Sequence, residues 1–289
     1  MSARAPGMAL VLVLWLITLL TASITTVVFV ARVEALQSST LRTAAQDEEI
    51  ARAAVEYALW RIQSGNQLSS SQRRWFPDGR VYHWIYSGVQ VDIRIQDETG
   101  KIDLNLADQN LLASLIRVVS PADDSADQAQ KIAGAIIDWR DADNLTALGG
   151  GAEEGDYAAA QLPYHPSNAP FETVSQLRWV LGVGPGLYQR LMPYVTVYGG
   201  NSQPDSQYSP APILTALGQN ARTVLAQRQE TLANMTGGGV GSGAYSIETR
   251  VHATLSRQTA LTMTVRVGAG RLPDSTYTVL HWQQGAGEP

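Results

Sequence analysis

MALVLVLWLITLLTASITTVVFVA, residues Met8–Ala31, contains no charged side chain. About 20 apolar residues are enough to cross the hydrocarbon of a bilayer, whereas the apolar part of a cleaved secretory signal is usually only ~7–15 residues long. The stretch is therefore long enough to span. An A-x-A-like cleavage site would have to follow the run, but the one approximation to it, Thr21-Ala22-Ser23, lies inside. Ahead stand residues 1–7, whose positive charges are the amino terminus and Arg4. That asymmetry keeps the N-terminus cytoplasmic and sends the bulk of the chain outward.

Neither Gly nor Pro occurs between Met8 and Ser64, while Pro6-Gly7 precede and Gly65 and Pro77 follow. Since these two residues are the strongest helix breakers, the sequence allows one unbroken helix of roughly 85 Å at 1.5 Å per residue. Its second half is amphipathic, with Val33, Leu36, Leu41, Ala44, Ala51, Val55, Ala58, Leu59 and Ile62 recurring at three- and four-residue steps. One face of that half is expected to pack on a globular domain.

The whole chain has 289 residues, a net charge of −5 and no Cys. It is long enough to bury a real core. The acidic balance argues against a protein that lives on nucleic acid, and the absence of Cys excludes disulfide scaffolds and thiol-ligated zinc. The four histidines, at 83, 165, 252 and 281, show no HExxH-type spacing. No G-x-S-x-G, P-loop or dinucleotide fingerprint occurs, and no enzymatic activity is expected.

After Gly65 the pattern changes to alternation. Val81–Tyr86 and Val89–Ile95, joined at Ser87-Gly88, read as a hairpin. The strand signal then lapses and returns at Tyr245–Leu255, Leu261–Val267 and Thr276–Trp282. The economical arrangement is one antiparallel sheet of five strands packed on the long helix. That is an α+β fold in which residues 32–102 and 244–289 form one domain, interrupted by a helical insertion over 103–243.

Inside the insertion, Leu111, Leu112, Leu115 and Ile116 form an apolar stripe. Capping-box spacings at Ser125/Gln128 and Thr173/Gln176 predict two further helices, the second stopped by Gly182. Pro185 opens a short helix to Met192, Gly199–Pro212 reads as loop, Ala221–Met235 as helix and Gly237–Gly243 as a hinge. Leu111, Leu115, Ile132, Ile136 and Arg140 find a faint echo in Ile213, Leu217, Val224 and Arg228. A duplicated helical unit and chance are both open at this point.

Between 138 and 156 stand six carboxylates: Asp138, Asp141, Asp143, Glu153, Glu154 and Asp156, interrupted by Gly149-Gly150-Gly151. Hard oxygens on a bendable loop are what Ca²⁺ takes, six to eight of them in loose geometry. The spacing is not an EF-hand: counted from Asp141, Thr146 falls where Gly belongs and Ala152 where Glu belongs. A solvated acidic loop is the plain alternative. However, with Arg140 as the one internal counter-charge the carboxylates would repel unless a cation joined them. One or two Ca²⁺ ions are expected, with Asn168 and backbone carbonyls completing the shell. Phe171–Val197, with its G-V-G-P-G turn between two helices, is similar to a helix–hairpin–helix of the kind that grips DNA phosphates. Only Arg178 and Arg190 lie near enough to supply cations, so a packing role is favoured over a membrane-anchored DNA-uptake protein.

Gly7 at the junction of a short polar leader and an apolar run resembles a type IV prepilin leader, cut between Gly7 and Met8. Most pilin-like subunits carry Glu as the fifth mature residue; here it is Leu12. Glu98-Thr-Gly-Lys-Ile-Asp-Leu-Asn105, Asp138-Trp-x-Asp-x-Asp143, Gly151-Ala-Glu-Glu154, Asp156-Tyr157, Pro163-Tyr164 with Asn168, and Leu177-Arg through Tyr194-Val-Thr-Val197 follow in order. Together they resemble the general secretion pathway K family, minor pseudopilins of the type II secretion system. A minor type IV pilin is the neighbouring alternative. The K resemblance implies a pilin fold with a large α-helical insertion that binds calcium. It also implies cleavage by prepilin peptidase, methylation of the new amine and a single pass through the inner membrane, with the bulk in the periplasm. The implied partners are the I and J pseudopilins, with H and the major pseudopilin G, and no nucleic acid.

Overall fold

The structure, a computed structural model, describes residues 6–63, 75–120, 126–234, 241–254, 257–268 and 277–285. Residues 1–5 of the expected leader, Ser125 of one capping box, and residues 235–240 of the last helix and the hinge lie outside them. The chain divides into two compact units, Met1–Ile50 and Ala51–Pro289.

Helix α1, Pro6–Gln63, runs unbroken through the stretch that lacks Gly and Pro. In the first unit its apolar side chains from Leu10 to Val30 are exposed, and the helix is long and apolar enough to cross a membrane. The hydroxyls of Thr18, Thr21, Ser23, Thr25 and Thr26 each donate to a carbonyl three or four residues back, at 2.7–2.9 Å. Those bonds satisfy the hydroxyls inside the helix, as hydrocarbon surroundings require. Val33, Leu36, Leu41 and Ala44, expected in the buried stripe, are exposed.

In the second unit the continuation of α1 buries Ala51, Ala54, Val55, Ala58, Leu59 and Ile62, the one-face spacing of a 3.6-residue period. Strands β1 (Asp78–Tyr86), β2 (Val89–Asp97), β5 (Ala244–Thr254), β6 (Arg257–Val267) and β7 (Tyr277–Gln284) form one antiparallel sheet in the order β1-β2-β5-β6-β7. Alternation sets its register: Val91 lies opposite Val251, Ile93 opposite Thr249 and Ile95 opposite Ile247. Ile247 in turn faces Met263. These residues form the buried face. On β1, Trp84 stacks on Tyr57 of α1 at 4.7 Å, and beyond β6 the Arg52 guanidinium sits 4.2 Å over the Trp282 ring. The expected α+β fold, one antiparallel sheet with its helix, is what the structure contains.

Between β2 and β5 the chain is helical. A second core runs from Ile102 to Ile213, built on α2 (Gln109–Val119), α3 (Ala126–Arg140), α4 (Glu154–Ala159), α5 (Pro185–Leu191) and α6 (Ala211–Ala216), followed by α7 (Ala221–Asn234). The stripe Leu111, Leu112, Leu115 and Ile116 is buried as expected, and Asp108 caps α2 by accepting from Leu111 N–H at 2.8 Å. The helix expected after Thr173 is instead a 3₁₀ turn, Val174–Trp179, with Val180 extended. Leu177 and Val180 are both buried by it, so tertiary packing overrides the helical signal. The last two residues of the expected loop Gly199–Pro212 open α6 instead, with Pro210 at the N-cap.

The faint echo has a physical counterpart. Arg140 donates to the carbonyls of Leu104 and Ala107, five and two residues before α2 begins. Arg228 donates to those of Ser206 and Ser209, five and two residues before α6 begins. Asp103 accepts from Asn105 N–H at 2.8 Å, and Asp205 from Gln207 N–H at 2.8 Å. The helical region thus uses one turn-and-arginine device twice.

Two buried acids tie the helical segment to the sheet. Asp97 accepts from Thr99 and Ser242, four bonds of 2.6–2.9 Å. Glu98 accepts from Lys101 Nζ at 2.7 Å, from Ser246 Oγ at 2.5 Å and from Thr196 Oγ1. A short parallel pair, β3 (Ile102–Asp103) with β4 (Val195–Thr196), closes the junction.

Candidate metal centre

The last turn of α3 delivers Asp138, which is fully buried. Its Oδ1 accepts from Ala147 N–H at 2.9 Å and its Oδ2 from Ala152 N–H at 2.8 Å. It thereby closes the loop that carries the other acids. The glycines explain how the loop comes so near. A Cβ on Gly151 would stand 1.9 Å from Asp138 Oδ2, and one on Gly134 would stand 1.8 Å from the Gly150 carbonyl oxygen. Gly149 and Gly150 hold φ of +87° and +106°, where other residues are strained.

This folding brings Asp141, Asp143 and Glu153 together, with one carboxylate oxygen of each within 4.8 Å of the others. Asp143 is exposed and accepts from Leu145 N–H at 2.9 Å. Asp141 Oδ1 and both oxygens of Glu153 are buried without a hydrogen bond of ordinary geometry, although Glu153 also stands at the N-cap of α4 in a capping-box arrangement with Asp156. Buried polar groups are paired in nearly all cases, so three orphaned carboxylate oxygens at one point call for an occupant. Arg140 is not that partner, because its guanidinium is spent on the carbonyls of Leu104 and Ala107. Among the described residues no ion pair neutralises the cluster.

Electrostatics agree. Burial, then the charges of Asp138, Asp141, Asp143 and Asp156, push Glu153 up to about 7. Asp141 is raised by burial and by Asp143, against Arg140. Asp138 is raised by burial, opposed by the N–H groups of Ala152 and Ala147 and reinforced by Asp141 and Asp143. In each case burial and neighbouring like charges disfavour the charged carboxylate.

Glu154 and Asp156 lie in the first turn of α4 and are exposed; Asp156 accepts from Glu153 N–H at 2.9 Å. Asn168 is exposed, with a positive φ of 47°. The donor set is all oxygen, hard and anionic, which fits Ca²⁺. Beneath it Tyr157, Trp139 and Phe171 are buried, and Tyr157 Oη accepts from Leu181 N–H at 2.9 Å.

Sequence reasoning missed what Asn105 does. Its amide donates to the Phe171 carbonyl at 2.9 Å and accepts from Phe171 N–H at 2.7 Å, clamping the segment after α4 to the start of the helical core. The two arginines flanking the G-V-G-P-G turn are engaged within the protein: Arg178 lies 4.4 Å over the Tyr188 ring and Arg190 bonds Ser120.

Comparison with known proteins bears on the same region. Residues 97–200 match the family model described as type II secretion system (T2SS), protein K. Among curated proteins, the type II secretion system protein K of Pectobacterium carotovorum subsp. carotovorum is 31% identical over 161 residues, 48% of either chain. The protein of the same name from Pseudomonas aeruginosa is 24% identical over 189 residues, covering 58% of this chain and 56% of that one. The chain thus spans about half the length of these curated relatives. Among solved structures, a chain of the GspK-GspI-GspJ complex from enterotoxigenic Escherichia coli superposes with a TM-score of 0.59 at 18% identity, covering 86% of this chain and 99% of that one. At that identity the likeness concerns the fold.

Proposed function

We propose, from the match of residues 97–200 to the type II secretion system protein K family, that the chain is a non-enzymatic minor pseudopilin at the tip of a type II secretion pseudopilus. There it helps to start assembly and so to export folded proteins across the outer membrane. The observation that carries this reading is that the protein K segment sits between β2 and β5 of a sheet whose helix continues into an unbroken apolar run.

The N-terminal helix is the single membrane anchor, with its start on the cytoplasmic side of the inner membrane and residues after it in the periplasm. Prepilin peptidase cuts between Gly7 and Met8, and the new amine is methylated. Leu12 then decides position. A carboxylate inside a membrane costs about 2.5–3.5 kcal/mol on insertion scales and is kept where it meets a partner. Leu12 offers a neighbouring amine no charge, so a subunit stacked where that charge is needed gains nothing from this one. The helical insertion of roughly 140 residues, by notional division at 103 and 243, is likewise too bulky to repeat inside a packed fibre. The I and J pseudopilins are the direct partners, consistent with the complex to which the fold is similar; H and the major pseudopilin G follow below.

Asp141, Asp143 and Glu153 hold the Ca²⁺ ion, with Asp138 shaping the loop and Glu154 and Asp156 available at its rim. The ion supplies charge neutralisation and cross-linking of the loop, not chemistry. Site-specific crosslinking in assembled pseudopili tests the position. Crosslinks confined to one end, to I and J, are expected; crosslinks to the major pseudopilin along the shaft would sink the tip assignment.

A further inference from the structure

On the sheet face away from α1, three metal-ligating side chains meet that sequence spacing keeps far apart. His83 on β1 pairs directly with Asp92 on β2, and His252 on β5 lies opposite Gln90, one diagonal step from Asp92. His83 Nδ1 lies 2.7 Å from Asp92 Oδ1, and His252 Nε2 lies 2.9 Å from Asp92 Oδ2. The carboxylate thus bridges two imidazoles across three adjacent strands. Gln90 Nε2 adds a weak contact at 3.4 Å, and Arg250 on β5, directly opposite Asp92, is turned to Glu248 at 3.1 Å. Partial burial would raise the Asp92 carboxyl, but the hydrogen bonds from His252, His83 and Gln90 outweigh it and hold the group below its ordinary value.

We propose that His83, Asp92 and His252 form a surface site for a divalent transition metal, separate in place and in chemistry from the acidic loop. Two imidazole nitrogens and one carboxylate are a borderline donor set that suits Zn²⁺ and its neighbours, whereas the all-oxygen loop suits Ca²⁺. Metal binding at His83 Nδ1 and His252 Nε2 requires the proton each shares with Asp92 to move to the other ring nitrogen, or to solvent where the imidazole is doubly protonated. The two nitrogens sit on opposite oxygens of the carboxylate and do not yet converge on one point, so binding requires one ring to turn. His83 is free to turn, its side chain being 67% exposed. His252 and Asp92, at 30% and 26%, form the fixed half on two paired strands. The sheet backbone sets their separation, and three protein ligands leave a position open to water or to a donor from a neighbouring protein.

Zinc titration of the full chain in detergent, with excess calcium to occupy the acidic loop, tests the site. One zinc per chain is expected, with affinity lowered about tenfold or more by His83→Ala and by His252→Ala, and unchanged by His281→Ala on β7. X-ray absorption of the zinc-loaded wild-type chain, which needs no variant, should report nitrogen ligands at about 2.0–2.1 Å. Absence of calcium-resistant zinc binding, an all-oxygen zinc shell, or binding indifferent to His83→Ala would each overturn the proposal.

Discussion

Glu153 is the residue on which the metal reading turns. Its carboxyl is raised from the ordinary 4.5 to about 7, so between those values the folded chain keeps a proton that the unfolded chain has released. Stability of the calcium-free chain should therefore fall as pH rises through that window, and saturating calcium should flatten the slope. Glu153→Gln removes the charge. At pH 7.5 in EGTA the variant is expected to melt no lower than the wild type. Calcium, worth about 2.7 kcal/mol at a hundred times its dissociation constant, should stabilise only the wild type. An unchanged wild-type midpoint between EGTA and calcium would leave the loop as solvated acid. Asn105→Ala makes the opposite kind of change, orphaning the N–H and carbonyl of Phe171; a loss of about 1–3 kcal/mol in denaturant unfolding is expected. The concentration of six carboxylates was legible from sequence; their division of labour was not. Asp138 and Glu153 look alike in a string of acids, and only the fold shows one accepting two N–H bonds and the other none of ordinary geometry.

Among elements, α1, the sheet and α2 were legible because each carries a period: 3.6 over Ala51–Ile62, two along β2, β5 and β6, and the stripe of α2. The stretch after Thr173 was not, because a capping box marks where a helix starts but not whether tertiary packing will let it continue. Glu98 was read as the opening of a segment, while its three partners, Lys101, Thr196 and Ser246, are set by chain pairing that no local spacing reveals. Close approach at α3 gives a direct test at this scale. Gly134→Ala places a methyl where the Gly150 carbonyl now lies, so the loop must move. We expect a loss of about 1–3 kcal/mol together with a weakened calcium response. The repeated turn-and-arginine device predicts that Arg140→Met and Arg228→Met each unfold the chain at lower denaturant, since each leaves two carbonyls without their donor. A cost at one arginine alone would mean that the two turns are not equivalent.

At the scale of the whole molecule, one chain combines an apolar helix, an antiparallel sheet and a protein K segment. N-terminal sequencing of chain extracted from membranes should begin at Met8; a start at Met1, or beyond Ala22, would remove the prepilin reading. The length of the apolar run and the five-stranded sheet were visible in the sequence as runs and alternations, but a binding surface for other subunits has no such period. Assembly with the I and J pseudopilins is read out by co-purification. The full-length chain is co-expressed with the I and J pseudopilins, extracted in detergent and sized. The expected result is a complex containing one copy of each. A chain that elutes alone with both candidates present would contradict it.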